Sequence, residues 1–335
     1  MIVRNLCSLQ WVVLTLVLFA VAQTVLQAEQ LRIGLPQTLQ GLRGNKVAFS
    51  TDDRILAVGD TNGIITLWNT LTHHIIRTIN TGIVSIRAMA FSPDGNYIVS
   101  SSLGLGYASG PPGQTYDSTI HVWNVKTGKI NQILAGHTAV ISSLVFSPHG
   151  KFLLSGSDDG TVGIWDTTVR HWKLSKKLLC GGSVYAVASA GNHVAVGGTK
   201  GAQIWDLVTG HKRKNLGGYW GSVYAVALSS DGKWFAVSGQ DPTIHLWNLT
   251  TLAVSQSSNS RAYSVSFLTF SPDSKMLISG DASGCQIWNV SPLKSRRVLH
   301  TTSYQEHGPL IAITHDGGMM VTGNSSYAIQ EWRIR

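Results

Sequence analysis

One aromatic landmark returns seven times along the chain, and its spacing limits the fold more than any other feature. It occurs at Leu67-Trp68-Asn69, Val122-Trp123-Asn124, Ile164-Trp165-Asp166, Ile204-Trp205-Asp206, Leu246-Trp247-Asn248, Ile287-Trp288-Asn289 and Glu331-Trp332-Arg333. The Trp-to-Trp steps are 55, 42, 40, 42, 41 and 44 residues. A turn landmark precedes most of them: Phe49-Ser50-Thr51-Asp52-Asp53, FSPDG at 91–95, FSPHG at 146–150, LSSDG at 228–232, FSPDS at 270–274 and ITHDG at 313–317. Pro pre-sets φ at the second turn position, Asp bonds the local backbone, and Gly accepts the closing geometry, so these are hairpin turns. In the second unit the turn lies 32 residues before its Trp instead of 18 or 19, an insertion of 13 residues. The fourth unit carries a weaker turn, Ser189-Ala190-Gly191-Asn192. Two periodicities that agree over seven units mean seven copies of one supersecondary unit.

Each copy reads as strands. Unit three runs Val140 to Phe146, then Phe152 to Ser157, then Thr161 to Trp165, each short, apolar and bounded by turn residues. With 35 Gly, 43 % hydrophobic and only 13 % charged residues, the chain is too apolar for disorder and too rich in Gly for a helical bundle. The period and the Trp landmark resemble those of the WD-repeat (WD40) family across nearly all of the chain after residue 40. The resemblance implies an all-β, seven-bladed propeller of four-stranded antiparallel blades, one domain over 31–335. The chain stops just after the third strand of unit seven, so Leu31 to Gln40 is the candidate for the missing outer strand. Its pairing there closes the ring without a long unpaired edge.

The first residues read differently. Arg4 is followed by an uncharged run from Trp11 to Ala22 that ends Ala20-Val21-Ala22. A basic start, a short apolar stretch and an A-x-A end describe a secretory signal peptide over 1–22, with cleavage after Ala28 as the alternative. The expectation is an exported protein, secreted or periplasmic; membrane tethering by an uncleaved signal is the other reading. Cys180 and Cys285 lie far apart in sequence and make no disulfide framework.

The resemblance implies a bracing network in unit three: His137, Ser155, Asp159 and Trp165. It looks like a catalytic triad on paper, but a Ser-His-Asp role requires an exposed nucleophile and an oxyanion site. Trp68, Trp123, Trp205, Trp247, Trp288 and Trp332 are the corresponding blade anchors. His73-His74 has no further ligands nearby in sequence, and Gly104-Leu105-Gly106 opens no helix. No catalytic constellation, metal site or cofactor is expected.

Binding features are better placed. The resemblance puts the loops between units, and between the second and third strands, around one end of a central channel. Tyr107 and Tyr116 lie in the inserted loop, Tyr219 and Trp220 in the loop before unit five, and Tyr185 and Tyr224 in near-duplicate segments. These aromatics are candidate anchors for a protein or peptide partner; Tyr185 and Tyr224 alternatively pack between blades four and five. The net charge is +9. Arg170, Lys173, Lys176 and Lys177 cluster in unit three, Lys212, Arg213 and Lys214 in unit four, and Lys294, Arg296 and Arg297 in unit six. Such a basic rim either docks to an anionic surface, a membrane included, or protects outer strands from edge pairing. The reading is a non-enzymatic interaction scaffold, monomeric on its own, with nucleic acid disfavoured as a partner. An exported enzyme or small-ligand binder at the channel mouth and a peripheral binder of anionic surfaces are the alternatives.

Overall fold

In the computed structural model, residues 33–104, 117–216, 221–259, 264–281, 284–299, 310–323 and 327–334 are described. None of them is helical, and no helix there is long and apolar enough to cross a membrane. The strands form seven four-stranded antiparallel sheets, and six of these use four consecutive strands. Lettering the strands of each blade a to d, the a strands are Lys46–Phe49, Ile86–Phe91, Ile141–Phe146, Val184–Ala190, Val223–Leu228, Phe267–Phe270 and Ile311–Ile313. Every c strand carries the landmark Trp. The turn landmark joins a to b: in blade 1 Ser50 Oγ donates to Asp52 Oδ1 at 2.6 Å, and accepts the Ile55 N–H at 2.9 Å. The same Ser/Thr–Asp pair recurs at Ser92–Asp94, Ser229–Asp231, Ser271–Asp273 and Thr314–Asp316.

The seventh sheet is closed by the N-terminal segment, as the unit count predicts. The outer strand is Gln37–Arg43, paired to Ala328–Arg333, so it overlaps the expected stretch Leu31 to Gln40 at residues 37–40 and runs three residues beyond it. Register is lost between Thr38 and Arg43, and Gly41 sits there at φ +80°, a conformation that a residue with a side chain rarely adopts. The bulge re-aims the strand so that Leu39 and Leu42 both enter the core. Upstream of it only the single bridge Ile33↔Ile334 remains. At the opposite sheet edge Asp53 of blade 1 clamps blade 7, accepting the His315 and Asp316 N–H groups at 2.8 and 3.0 Å.

Apolar seams between adjacent blades hold the ring together. Val99 and Val122 of blade 2 pack with Leu144, Leu153 and Trp165 of blade 3. Phe49, Leu56 and Trp68 of blade 1 pack with Leu310, Met319 and Val321 of blade 7, which closes the circle. Each such side chain contributes about 1.5–3 kcal/mol on burial. The blades approach closely: a Cβ on Gly156 would lie 2.6 Å from Val184 of the next blade, and one on Gly197 would lie 2.6 Å from Val223. Trp68, Trp123, Trp165, Trp205, Trp288 and Trp332 are buried as anchors, whereas Trp247 is only half-buried.

Candidate functional site

The triad-like group in blade 3 forms as expected. His137 Nδ1 lies 2.8 Å from Asp159 Oδ2, His137 Nε2 lies 2.7 Å from Ser155 Oγ, and Trp165 Nε1 donates to Ser155 Oγ at 2.8 Å. One proton arrangement satisfies every atom: Trp165 donates to Ser155, Ser155 to His137, and His137 to the Asp159 carboxylate. Burial pushes the His137 imidazole below its usual range, against the opposing pull of Asp159, so it is held neutral. Ser155 is fully buried. A nucleophile locked inside a sheet, donating to its own base and capped by an indole, has no access to a substrate. The group braces the blade.

Other blades solve the same problem with different residues. Blades 2 and 5 share the run Asp-x-Thr-Ile-His-x-Trp, at Asp117 to Trp123 and Asp241 to Trp247. There the imidazole comes from strand c itself: Thr119 Oγ1 donates to Asp117 at 2.6 Å and lies 3.1 Å from His121 Nε2. In blade 3 the matching position is Gly163, and a Cβ there would lie 2.8 Å from Ser155 Oγ and 3.0 Å from His137 Nε2. The loop histidine and the strand histidine therefore exclude each other. In blade 4 Gln203 stands at this position and accepts the Trp205 indole N–H at 3.0 Å.

The arrangement with functional geometry lies at one end of the central channel. In blades 2 to 5 the ladder between strands a and b slips at the same place. Register passes from Ile86 to Ala88, Ile141 to Ser143, Val184 to Ala186 and Val223 to Ala225. The extra residues are Arg87, Ser142, Tyr185 and Tyr224. A bulge leaves its residue outside the ladder and re-aims it, which is why bulges gather at binding sites. Asn45 holds the same level in blade 1, four residues before Phe49. All four bulge residues are half-buried. Arg87 Nε, Ser142 Oγ and Asn45 Oδ1 are buried atoms without a hydrogen-bond partner. Tyr185 and Tyr224 lean on each other, with ring centroids 5.8 Å apart and planes at 45°.

Two more charges join this level. Lys46 is half-buried, and burial followed by the nearby Arg87 charge pushes its ammonium down to about 8. Asp158, in the b–c turn of blade 3, has its carboxyl pushed above the usual range by burial, while Arg87 pulls it back. Arg87 and Asp158 make no ion pair. Outward from the mouth, between blades 3 and 4, a shallow cleft of about 530 Å³ is lined by Asp158, Asp159, Gly182, Ser183 and Thr199 among others. A second, of about 510 Å³, shares Gly181 and Thr199 with it and adds Lys200, Gln203 and Lys212.

Of the six candidate aromatics, only Tyr185 and Tyr224 are placed; Tyr107, Tyr116, Tyr219 and Trp220 lie outside the described residues, as does the segment 1–22. The pair is brought together, but not as the freely exposed surface the scaffold reading expects: each ring covers part of the other. Reading the sequence for aromatics alone misses Arg87, Lys46 and Asp158. The signal was available for Arg87, which stands four residues before its turn landmark, as Tyr224 does before Leu228.

Four of the seven basic residues of blades 3 and 4 make contacts within the protein. Arg213 pairs with Asp206 at 2.7 Å, Lys212 lies 4.8 Å over the Trp205 ring, Lys176 donates to the Val208 carbonyl at 3.0 Å, and Lys177 stands 3.8 Å from Asp159. Arg170, Lys173 and Lys214 are exposed. Lys173–Leu179 and Lys212–Asn215 are the outer strands of blades 3 and 4, so the charges sit on sheet edges. Cys180 and Cys285 are buried and free. Among the described residues no group of three or more His, Cys, Asp or Glu side chains is placed to hold a metal ion.

Comparison with known proteins agrees with this architecture. The profile of the family described as WD domain, G-beta repeat matches residues 70–124, 128–166, 210–248 and 252–289, about half of the chain. Autophagy-related protein 16 of Arabidopsis thaliana is 22 % identical over 73 % of this chain and 47 % of its own length. Nuclear distribution protein PAC1 of Arthroderma otae is 26 % identical over 65 % of this chain and 46 % of its own. Target of rapamycin complex subunit wat1 of Schizosaccharomyces pombe is 25 % identical over 56 % and 60 % respectively. The chain thus spans about half the length of these relatives. With seven Trp-anchored four-stranded blades in one ring and repeat matches in both halves of the sequence, this chain belongs to the WD40-repeat family.

Proposed function

We propose that this protein is a non-enzymatic interaction scaffold that holds a protein or peptide partner at the channel end carrying Arg87, Ser142, Tyr185 and Tyr224. The observation that carries the reading is the shared bulge. Four successive blades spend the same ladder position on presenting a side chain to one place, and the side chains differ from blade to blade. A purely structural device would repeat its chemistry, as the Ser/Thr–Asp turns do. Membership of a family whose matched relatives include a complex subunit by name supports a protein as the partner. The clefts between blades 3 and 4 extend the same surface outward.

Site-specific photo-crosslinking tests this. A benzophenone amino acid at position 224 is compared with one at His149, in an a–b turn at the other end of the blades. A defined partner crosslinked from 224 and not from 149, and lost on Tyr185→Ala/Tyr224→Ala at unchanged melting temperature, is the expected result. Equal crosslinking from both positions, or none from either, refutes the assignment of this face.

We further propose that the scaffold works outside the cytoplasm, on the strength of the apolar run from Trp11 to Ala22 and its A-x-A end. Mass spectrometry of the chain from its natural host should find a new N-terminus at Gln23 or Glu29; an intact Met1 terminus refutes cleavage.

A further inference from the structure

The channel mouth carries more charge than a neutral peptide platform needs, and the charge is arranged for one kind of visitor. Lys46 and Arg87 come from packed strands of adjacent blades, near enough for the Arg87 charge to lower the proton affinity of Lys46. Among the described residues neither forms an ion pair, and Arg87 Nε is a buried donor without an acceptor. Every other described guanidinium or ammonium with a comparable degree of cover, such as Lys176 and Lys177, has found an oxygen. A half-buried cation pair without an anion in direct contact is costly, because neither partner offsets the desolvation of the other. On the next blade stands Asp158, close enough to feel Arg87 but not paired with it. Two cations facing one carboxylate leave a net charge of about +1, which a single monoanion cancels and a phosphate dianion would exceed.

We propose that Lys46 and Arg87 receive the carboxylate of an aspartate or glutamate side chain in the partner, with the guanidinium giving the directed hydrogen bonds and the ammonium the balancing charge. Ser142 Oγ and Asn45, at the same level, supply further polar contacts, and Asp158 restricts entry to a singly charged group. The adjoining Tyr185–Tyr224 pair offers apolar ring surface to the residues flanking the acid. This deepens the scaffold reading and depends on it: a partner must come to this face for its acid to be held there. It also names what the partner must bring, an acidic residue in an extended or loop segment with no bulky charge beside it.

The test starts from random peptides, since no partner is identified. A phage library of random 12-residue peptides is selected on the intact chain, and synthetic copies of the winners are titrated by fluorescence anisotropy. The expected winners share one Asp or Glu. Their affinity should fall by about 10-fold or more on Arg87→Met, as loss of a charge-assisted hydrogen bond predicts. Lys46→Met should weaken them in the same direction, and Arg87→Lys should retain part of the binding. Phosphoserine in place of the acid should bind more weakly than the carboxylate; tighter binding overturns the choice of a monoanion. Peptides that bind equally well to the Lys46→Met/Arg87→Met chain overturn the carboxylate site while leaving the scaffold reading standing. A library that yields no binder to the intact chain overturns both.

Discussion

Removing one hydroxyl from blade 3 should cost more than removing its counterpart from blade 2, and the difference measures what the buried chain of hydrogen bonds is worth. Ser155 Oγ serves two partners, the Trp165 N–H at 2.8 Å and His137 Nε2 at 2.7 Å. Ser100 Oγ in blade 2 takes the Trp123 N–H at 3.0 Å, and no bond joins it to His121. A buried polar atom deprived of its partner costs about 1–3 kcal/mol. Ser100→Ala therefore strands one atom and Ser155→Ala strands two, giving costs of roughly 1–3 and 2–6 kcal/mol. Both serines are fully buried and both changes remove the same small volume, so the cavity contributions nearly cancel. Urea unfolding with the two variants side by side reads the gap as a shift in midpoint at constant slope. Equal costs for the two variants would refute the reasoning, because the His137 bond would then contribute nothing. Histidine makes a further check. His137 titrates below its ordinary value in the folded chain, so the unfolded chain binds more protons as pH falls through that range. Its share of stability is present above the ordinary histidine value and is lost on acidification. His137→Gln should flatten that part of the profile.

Other consequences follow from single residues. Gly163→Ala places a Cβ within 2.8–3.0 Å of three buried polar atoms of the same network and should destabilise by about 1–3 kcal/mol in the same urea assay; a neutral result would show that the network yields easily. Lys46 has its proton affinity lowered from 10.5 to about 8, so between those values the unfolded chain binds more protons and stability should rise with pH. Lys46→Met should abolish that rise and stabilise the free protein at pH 7 by roughly 1–3 kcal/mol; a loss of stability would show that the ammonium is well solvated where it stands. The Cys180 and Cys285 thiols are pushed up by burial to about 11 and about 12. Neither should label with a maleimide at pH 7 until the chain unfolds, and peptide mapping that finds either one modified in the native state would contradict their burial.

Much of the architecture was legible because it is written locally. A Trp every 40 to 44 residues after the first step, with a turn landmark ahead of most of them, defines a four-stranded unit through residues that lie within one repeat. The blade 3 network was readable for the same reason: His137 to Trp165 spans one repeat, and each member sits at a fixed offset from the landmark. The missing outer strand could be inferred from the unit count, since a blade with three strands leaves an edge to be covered.

Three features needed the folded ring. The exact closing strand, Gln37–Arg43, depends on a bulge at Gly41 that lets Leu39 and Leu42 reach a core built by blades 1 and 7. The half-burial of Trp247 and the mutual covering of Tyr185 and Tyr224 depend on how neighbouring blades pack. The channel mouth depends on both: Lys46, Arg87, Asp158, Tyr185 and Tyr224 come from five blades, and no short segment of sequence contains more than one of them. Periodicity and turn chemistry are properties of near neighbours, so the amino-acid sequence determined the number of blades, their strands and their anchors. Convergence of distant residues onto one spot is a property of the closed circle, and only the tertiary structure decided which side chains meet there.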